Sequence, residues 1–431
     1  MPKPEVMDRT AGFFKKSLET MLHKKRIEYH SQKLRGIVQY AYKNSQAFKN
    51  KMDSVGLKPR DIQTIKDLEK IPITKKTELM ELQQKNPPFG GFEGVPITEM
   101  RRIFISPGPI YEPGEIEFDE LGWAQGMYAG GFRPGDIVIN TFSYHMVPFA
   151  LQMVDNSLHM IGCISIPMGV GNTEQQVNTL KNLMANAYCG TPSFLLNIAE
   201  KAEEMGLDFK KDINLRVGFV AAEMLPESLR SKLEEKFGMI IRQTYGTADV
   251  RCLGYECMKK NGMHVPDDKI VEIVDPDTGK QLGPGKMGEI VATTFNKVYP
   301  LIRFGTGDLS ILTETPCPCG RTSPRLLKIL GRVDHATKVR GLFVHPGQVG
   351  EVASKHSQIG NYQIVITRKE HKDEMIFQIE LKGEVSEPEK LKEEIERSIR
   401  DVMKIRGDVK FVPKGTIPDG ARKIEDQRTW E

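Results

Sequence analysis

Between residues 135 and 245, five short apolar runs alternate with amphipathic stretches of helical period, and no other feature restricts the fold as much. The runs are Asp136–Asn140, Cys163–Pro167, Ala187–Gly190, Val217–Glu223 and Met239–Tyr245. A stretch opening at Thr173 puts Val177, Leu180, Met184 and Ala187 on one face, with Thr173 and Gln176 spaced for a capping box. Another follows Pro226, a favoured first helical position, and runs through Leu229, Leu233 and Phe237 to a stop at Gly238. Short strands alternating with crossover helices imply a largely parallel sheet covered on both faces, so the chain is read as α/β.

The flanks differ. Residues 10–85 interleave charged and apolar positions at helical spacing. Beyond 330, Tyr362, Ile364 and Ile366 alternate, as do Met375, Phe377, Ile379 and Leu381, the pattern of half-buried strands. Leu391, Ile395, Ile399 and Val402 form a helical stripe before a strand near Val409 and Phe411. The expected organisation is a large N-terminal domain over 1–331, with mixed or parallel sheets flanked by helices and a helical part to about 90. A hinge at 332–335 and a small α+β domain over 336–431 follow.

A chain of 431 residues, 39% apolar and 27% charged, can bury a substantial core. Its net charge of +4, from 61 basic and 57 acidic side chains, leaves no nucleic-acid or membrane footprint. No run approaches the ~18 apolar residues of a membrane helix, and the N-terminus lacks a signal peptide's apolar segment. The expected location is the cytoplasm, where thiols stay reduced. The six cysteines then need a reading other than disulfides, and four of them fall between 252 and 319.

Among these, Cys257 and His264 lie seven residues apart, and Cys317-Pro-Cys319 follows in a turn-rich stretch. Three thiolates and an imidazole from two short clusters suit a closed, structural tetrahedral zinc site. Cys252 is an alternative ligand; Cys163 and Cys189 sit in apolar runs as core.

Four further segments matter through their order and spacing: Gln243-Thr-Tyr-Gly-Thr-Ala-Asp249, Tyr299–Asp308, Gly331–Gly341 and Gly415–Lys423. Each alone reads as an ordinary turn, loop or solvated tail. Together, with Cys189-Gly-Thr-Pro-Ser193, Ala221-Ala-Glu223, Gly171-Asn-Thr173 and Cys317-Pro-Cys-Gly-Arg321, they resemble the adenylate-forming superfamily, and within it the phenylacetate–CoA ligase family. The resemblance covers most of the chain from about residue 65.

It implies a ligase that joins a carboxylic acid to AMP from ATP and passes the acyl group to coenzyme A, using Mg²⁺. In such enzymes the small domain rotates about the hinge between the two half-reactions. On this reading Tyr245 lies against adenine, with Ala222 and Glu223 along its edge and Gly246 and Thr247 in the following turn. Asp308 accepts from the ribose hydroxyls. Asp249 stands where the family has a glutamate on Mg²⁺, as a shorter hard-oxygen ligand. Arg303 and Arg332 are candidates for phosphate or ribose contacts, and Asp334 fits the hinge. Counting from Pro418, Lys423 takes the place of the lysine that stabilises adenylation; counting back from Asp426 puts Gly420 there, and the first count is preferred. Homodimers occur among such enzymes.

Phe142, Tyr144 and His145, with Gly169 and Gly171, follow strand ends, where α/β folds place ligands. By position they resemble acyl-pocket walls, and Phe142, Tyr144 and Met146 favour an apolar or aromatic acid. His145 is assigned no acid–base role.

The phosphate loop departs from the family. Where the pattern is Ser-Ser-Gly-Thr-Thr-Gly-Lys-Pro, this chain reads Ser-Pro-Gly-Pro-Ile-Tyr-Glu-Pro from Ser106 to Pro113, keeping only Ser106, Gly108 and Pro113. Two prolines remove amide donors, and Glu112 replaces a positive charge. Adenylyl transfer to another acceptor, or AMP binding without turnover, are the alternatives this loop raises.

Overall fold

The computed structural model describes residues 8–114, 121–276, 278–333, 337–340, 342–344, 346–418 and 420–429. The chain divides into two compact units, one of residues 1–225 and 230–330, the other of 226–229 and 331–431.

In the first unit, β1 (Thr74–Lys75) and a hairpin of β2 (Arg102–Ser106) and β3 (Ile110–Gly114) precede the main run of strands. Five parallel strands follow: β4 (Ile137–Asn140), β5 (Ile164–Pro167), β6 (Ala187–Gly190), β7 (Val217–Val220) and β8 (Ile240–Thr247). They coincide with the five apolar runs. Each is short, and β6 and β7 are buried along their whole length, as a sheet covered on both faces requires. The sheet then changes character. Through β9 (Arg251–Glu256), β10 (Met263–His264), β11 (Lys269–Val274), β12 (Met287–Thr294), β13 (Phe304–Thr313) and β14 (Arg325–Arg332), every pairing whose direction is defined is antiparallel apart from β1 on β13. The order is β11-β12-β13-β14-β10-β9-β8-β7-β6-β4-β5. The expected parallel strands are thus present and continue into an antiparallel half, giving one mixed sheet. Tight connections such as the three residues between β8 and β9 can only join antiparallel neighbours.

The helix over Thr173–Asn182 is capped by Asn172, whose side chain accepts from Gln175 N at 3.2 Å. The expected capping box does not form, because Gln176 is buried and donates instead to Gly169 O (2.8 Å) and Gly171 O (2.9 Å). Met184 falls beyond the helix at φ +50° and is exposed, so the apolar stripe ends at Leu180.

Buried charges fasten the N-terminal helices to the sheet. Glu19 accepts from Arg321 Nε at 2.7 Å, and Arg26 pairs with Asp267 and donates to Thr322 Oγ1 at 2.9 Å. Beside them His30 Nε2 lies 3.1 Å from Asp267 O. No helix among the described residues is long and apolar enough to cross a membrane.

The second unit carries β15 (Thr337–Val339) and β16 (Leu342–Val344), then a sheet of β17 (Ile359–Lys369), β18 (Lys372–Leu381), β19 (Asp408–Val412) and β20 (Ile424–Asp426) in the order β19-β18-β17-β20. Its core joins Ile364, Ile366, Phe377 and Ile379 to Leu391, Ile395, Ile399 and Met403 of the helix Pro388–Met403. Met403, not Val402, supplies the fourth fully buried position of the stripe.

Burial, reinforced by the Arg26 charge, holds the His30 imidazole down at about 4 from its ordinary 6.5. Between these values the folded chain binds fewer protons than the unfolded one, so this contribution is complete above pH 6.5 and drains as pH falls toward 4. The stability advantage of the wild type over His30→Gln should shrink across that window in thermal melts. A constant difference would contradict it.

Candidate active site

The parallel strands deliver the first group of residues. β6 ends at Gly190, and Thr191 caps the next helix by accepting from Phe194 N at 3.2 Å. β7 ends at Val220 and the chain turns through Ala222, at φ +71°, into Glu223. Ser193 ties the two turns together: its Oγ donates to Glu223 Oε1 at 2.9 Å and its amide to Oε2 at 3.3 Å.

β8 brings Tyr245, whose hydroxyl donates to Asp308 Oδ2 of β13 at 2.7 Å. The next residue must be glycine. A Cβ on Gly246 would lie 2.3 Å from Arg251 O, and the pairing of β8 with β9 shifts register here. Thr247 Oγ1 accepts from Val250 N at 3.3 Å and closes the turn that presents Asp249.

Asp249 is buried and ion-paired through Oδ2 with Lys76 Nζ at 2.9 Å, while Oδ1 has no hydrogen-bond partner among the described residues. Glu112, on β3, is equally buried. It accepts from Ser106 Oγ at 2.6 Å through Oε1, and Oε2 has no hydrogen-bond partner among the described residues. Burial and then the Asp249 charge push the Glu112 carboxyl up to about 8. The Ser106 hydroxyl donates to Glu112, and Gly108 lies in the tight turn of the β2–β3 hairpin.

Arg303 is corrected outright. It is buried against Glu272 (Nε to Oε1 3.2 Å, Nη2 to Oε1 3.1 Å) and donates to Glu69 O, Ile71 O and Gly279 O. With its donors taken up inside the protein, it braces the fold and reaches no phosphate. Arg332 closes β14, and Asp334 lies outside the described residues. In the second unit, the Lys423 ammonium stands 3.8 Å from the Tyr362 ring centroid, and its carbonyl accepts from Ile364 N at 2.9 Å.

At the end of β4, Asn140 Nδ2 donates to Asp155 Oδ1 at 3.0 Å, and the Tyr144 hydroxyl donates to the same carboxylate at 2.9 and 3.0 Å. Burial first, and then the negative Asp155, push the Tyr144 phenol far above its usual range, so it stays a donor. Phe142 is buried with its ring centroid 5.9 Å from that of Phe149. Gly169 N donates to Asn140 O at 3.0 Å, and a Cβ there would lie 3.8 Å from Tyr144 Cδ2 and 3.9 Å from Phe142 O. Phe142, Tyr144 and Gly169 therefore form one wall. Gly171 belongs to the adjoining turn, and His145 is exposed.

The cysteine reading converges in space. The ligand atoms of Cys257, His264, Cys317 and Cys319 all lie within 4.8 Å of one another. Cys257 Sγ is 3.8 Å from Cys317 Sγ, and Cys319 Sγ is 3.4 Å from His264 Nε2. Cys252 stands apart from this set, 3.5 Å from Thr244 Oγ1.

Comparisons with known proteins agree with this geometry. A family model described as AMP-binding enzyme matches residues 123–296, and one described as AMP-binding enzyme C-terminal domain matches 341–428. The phenylacetate-coenzyme A ligase of Thermus thermophilus is 31% identical over 94% of this chain and 96% of its own length. The chain belongs to the phenylacetate–coenzyme A ligase family. The corresponding ligase of Pseudomonas putida is also 31% identical, over 83% of this chain and 82% of its own. Among solved structures, 2-hydroxyisobutyryl-CoA ligase in complex with 2-HIB-AMP and CoA matches with a TM-score of 0.87 and 26% identity, covering 99% of this chain and 94% of that one.

Within this family assignment, the residue that sequence reasoning missed is Lys76. It sits in a Lys-Lys pair amid other charges, and nothing in the sequence marks it as the partner of a carboxylate 173 positions away. Ser193 closes the Cys189–Ser193 motif, and its contact with Glu223 gives it a positioning role that the motif alone does not show.

Removing one member of a buried ion pair strands the other. Lys76→Met should cost about 3 kcal/mol in denaturant unfolding, and adding Asp249→Asn should return most of it. Additive losses in the double variant would contradict the coupling of Lys76 to Asp249.

Proposed function

We propose that this chain is an ATP-dependent carboxylate–CoA ligase that takes an arylacetic acid through an acyl-adenylate. In the first half-reaction a carboxylate oxygen of the acid attacks the α-phosphorus of ATP, forming the acyl–phosphate bond and expelling pyrophosphate. In the second, the sulfur of coenzyme A attacks the acyl carbonyl, AMP leaves with the bonding pair, and the thiol proton passes to solvent.

The observation that carries the reading is the Tyr245–Asp308 hydrogen bond of 2.7 Å, with β8 beside β7, the strand whose following turn carries Ala222 and the Ser193-anchored Glu223. A tyrosine held by an aspartate has its ring orientation fixed, and the same carboxylate is the group assigned to the ribose hydroxyls. Binding energy gathered on the adenosine positions the α-phosphate without itself taking part in bond-making. Asp249 would hold Mg²⁺, which when bound neutralises charge on the phosphates. Lys423 is the cation assigned to the acyl-phosphate, and leaving the Tyr362 ring costs it about 0.5–2 kcal/mol.

Arylacetic acids are favoured by the wall itself. Phe142 presents an apolar surface, Gly169 leaves space beside the Tyr144 ring, and the Tyr144 hydroxyl is spent on Asp155. That leaves the wall with little to offer a polar acyl group.

The four-residue sulfur–imidazole cluster is assigned a structural zinc. Two thiolates bound tetrahedrally at ~2.3 Å stand about 3.8 Å apart, which matches the Cys257–Cys317 separation of 3.8 Å. His264 Nδ1 lies 3.3 Å from Ser323 Oγ, leaving Nε2 for the metal. The site would clip the loop after β9 to the loop before β14.

With phenylacetate, ATP, Mg²⁺ and coenzyme A, mass spectrometry should detect the acyl-CoA and AMP, and Asp308→Ala should abolish both. An adenylylated product that persists in the presence of coenzyme A would instead favour transfer to another acceptor. Elemental analysis should find about one zinc per chain, and Cys317→Ser should lose it together with thermal stability. A metal-free wild type as stable as the zinc-loaded one would contradict the structural role.

A further inference from the structure

An acid enters this site ionised, and a wall built of Phe142, Tyr144 and Gly169 holds no positive charge to receive it. Taking a carboxylate out of water without a partner is costly. The helix behind the wall is a π-helix, Phe149–Asp155, in which Met153 N donates to Pro148 O, five residues back, at 3.2 Å. Such turns gather at functional sites. This one presents three side chains at intervals of three residues. The Phe149 ring meets Phe142, and Asp155 holds Tyr144 and Asn140. Between them Gln152, 1% exposed, turns its side-chain oxygen to Arg251 and accepts from Nη2 at 2.7 Å and from Nη1 at 2.8 Å.

Arg251 also belongs to the nucleotide side. It opens β9, pairs with Thr247 across the turn that carries Asp249, and its carbonyl is the atom that excludes a side chain at residue 246. Its backbone lies at φ +64°, and Met146 and Ala222, in the segments leaving β4 and β7, lie at +67° and +71°. Non-glycine residues persist in this left-handed region where surrounding contacts hold them, and they cluster at ligand sites. The partly exposed Arg251 is thus held by a strained backbone and by a buried amide, between the acyl wall and the Asp249 turn. A guanidinium carries five donors in one plane, so it can hold a protein oxygen and a ligand carboxylate together. We propose that Arg251, oriented by Gln152, receives the carboxylate of the acid and holds it for attack on the α-phosphorus. This rests on the ligase reading above. One carboxylate oxygen stays on the guanidinium while the other bonds to phosphorus, so the retained oxygen becomes the carbonyl of the acyl-adenylate. Gln152 acts through Arg251 and is a positioning residue.

The test compares phenylacetate with phenylacetamide, its uncharged counterpart of similar shape, by calorimetry on the full-length protein loaded with Mg²⁺ and α,β-methylene-ATP. The wild type should favour phenylacetate. Arg251→Met should bind phenylacetate at least about tenfold more weakly and phenylacetamide as before, which also shows that the pocket is intact. Arg251→Lys should fall between the two, because it keeps the charge and loses the fork. Gln152→Glu sets a carboxylate against the guanidinium in competition with the acid. It should raise the KM for phenylacetate at least about tenfold, leave the KM for ATP unchanged and not lower the melting temperature. A merely structural contact would move neither the acid-to-amide ratio nor one KM alone. An unchanged ratio in Arg251→Met, or an unchanged KM for phenylacetate in Gln152→Glu, overturns the proposal. Acyl-CoA formation by the wild type reports on the ligase reading separately. Its presence beside an Arg251-independent ratio removes this inference alone, and its absence with every acid removes both.

Discussion

Much of this structure hangs on the close approach of β8 and β9 at Gly246. A side chain there would strike Arg251 O at 2.3 Å, so the turn between these strands exists only because residue 246 has none. On one side of it stands Tyr245, held by Asp308; on the other stands Asp249, held by Lys76. The same point is where the sheet passes from parallel to antiparallel. Upstream, strand ends and helix starts collect small residues and turns able to face a ligand. Downstream, antiparallel strands supply Asp308 and the loops that carry the sulfur–imidazole cluster.

Burial of charge is the second theme. Arg303 with Glu272, Glu19 with Arg321, Arg26 with Asp267 and Arg230 with Glu256 are satisfied pairs that register distant segments with one another. Such pairs add little net stability, but breaking one is expensive, so they penalise misregistered packing. Glu112 and Asp249 differ from them. Each has one oxygen with no hydrogen-bond partner among the described residues, which sets them apart from these braces.

The legibility of the fold from sequence follows from how local each signal is. β4 to β8 could be read because fully buried strands announce themselves as short apolar runs, and the small-domain strands because alternation is a two-residue pattern. The cysteine–histidine cluster could be read because few residue types bind zinc. What escaped was non-local. Lys76 needs Asp249 to have meaning; Arg303 sits in a motif that suggests phosphate, yet Glu272 and three carbonyls claim it. The loss of charge complementarity at Glu112 was plain in the sequence, but its burial against Ser106 was not. The capping box at Thr173 failed for a similar reason: Gln176 had better partners in the preceding glycine turn than in its own helix.

The central claim is that this site activates an acid on ATP, and acid-dependent exchange of labelled pyrophosphate into ATP tests it most directly. With Mg²⁺ and without coenzyme A, phenylacetate and its aryl relatives should drive exchange, short aliphatic acids should drive far less, and Asp308→Ala should drive none. Clear binding of AMP with no exchange for any acid would contradict the account, and would mean that a hairpin carrying Glu112 has ended adenylation.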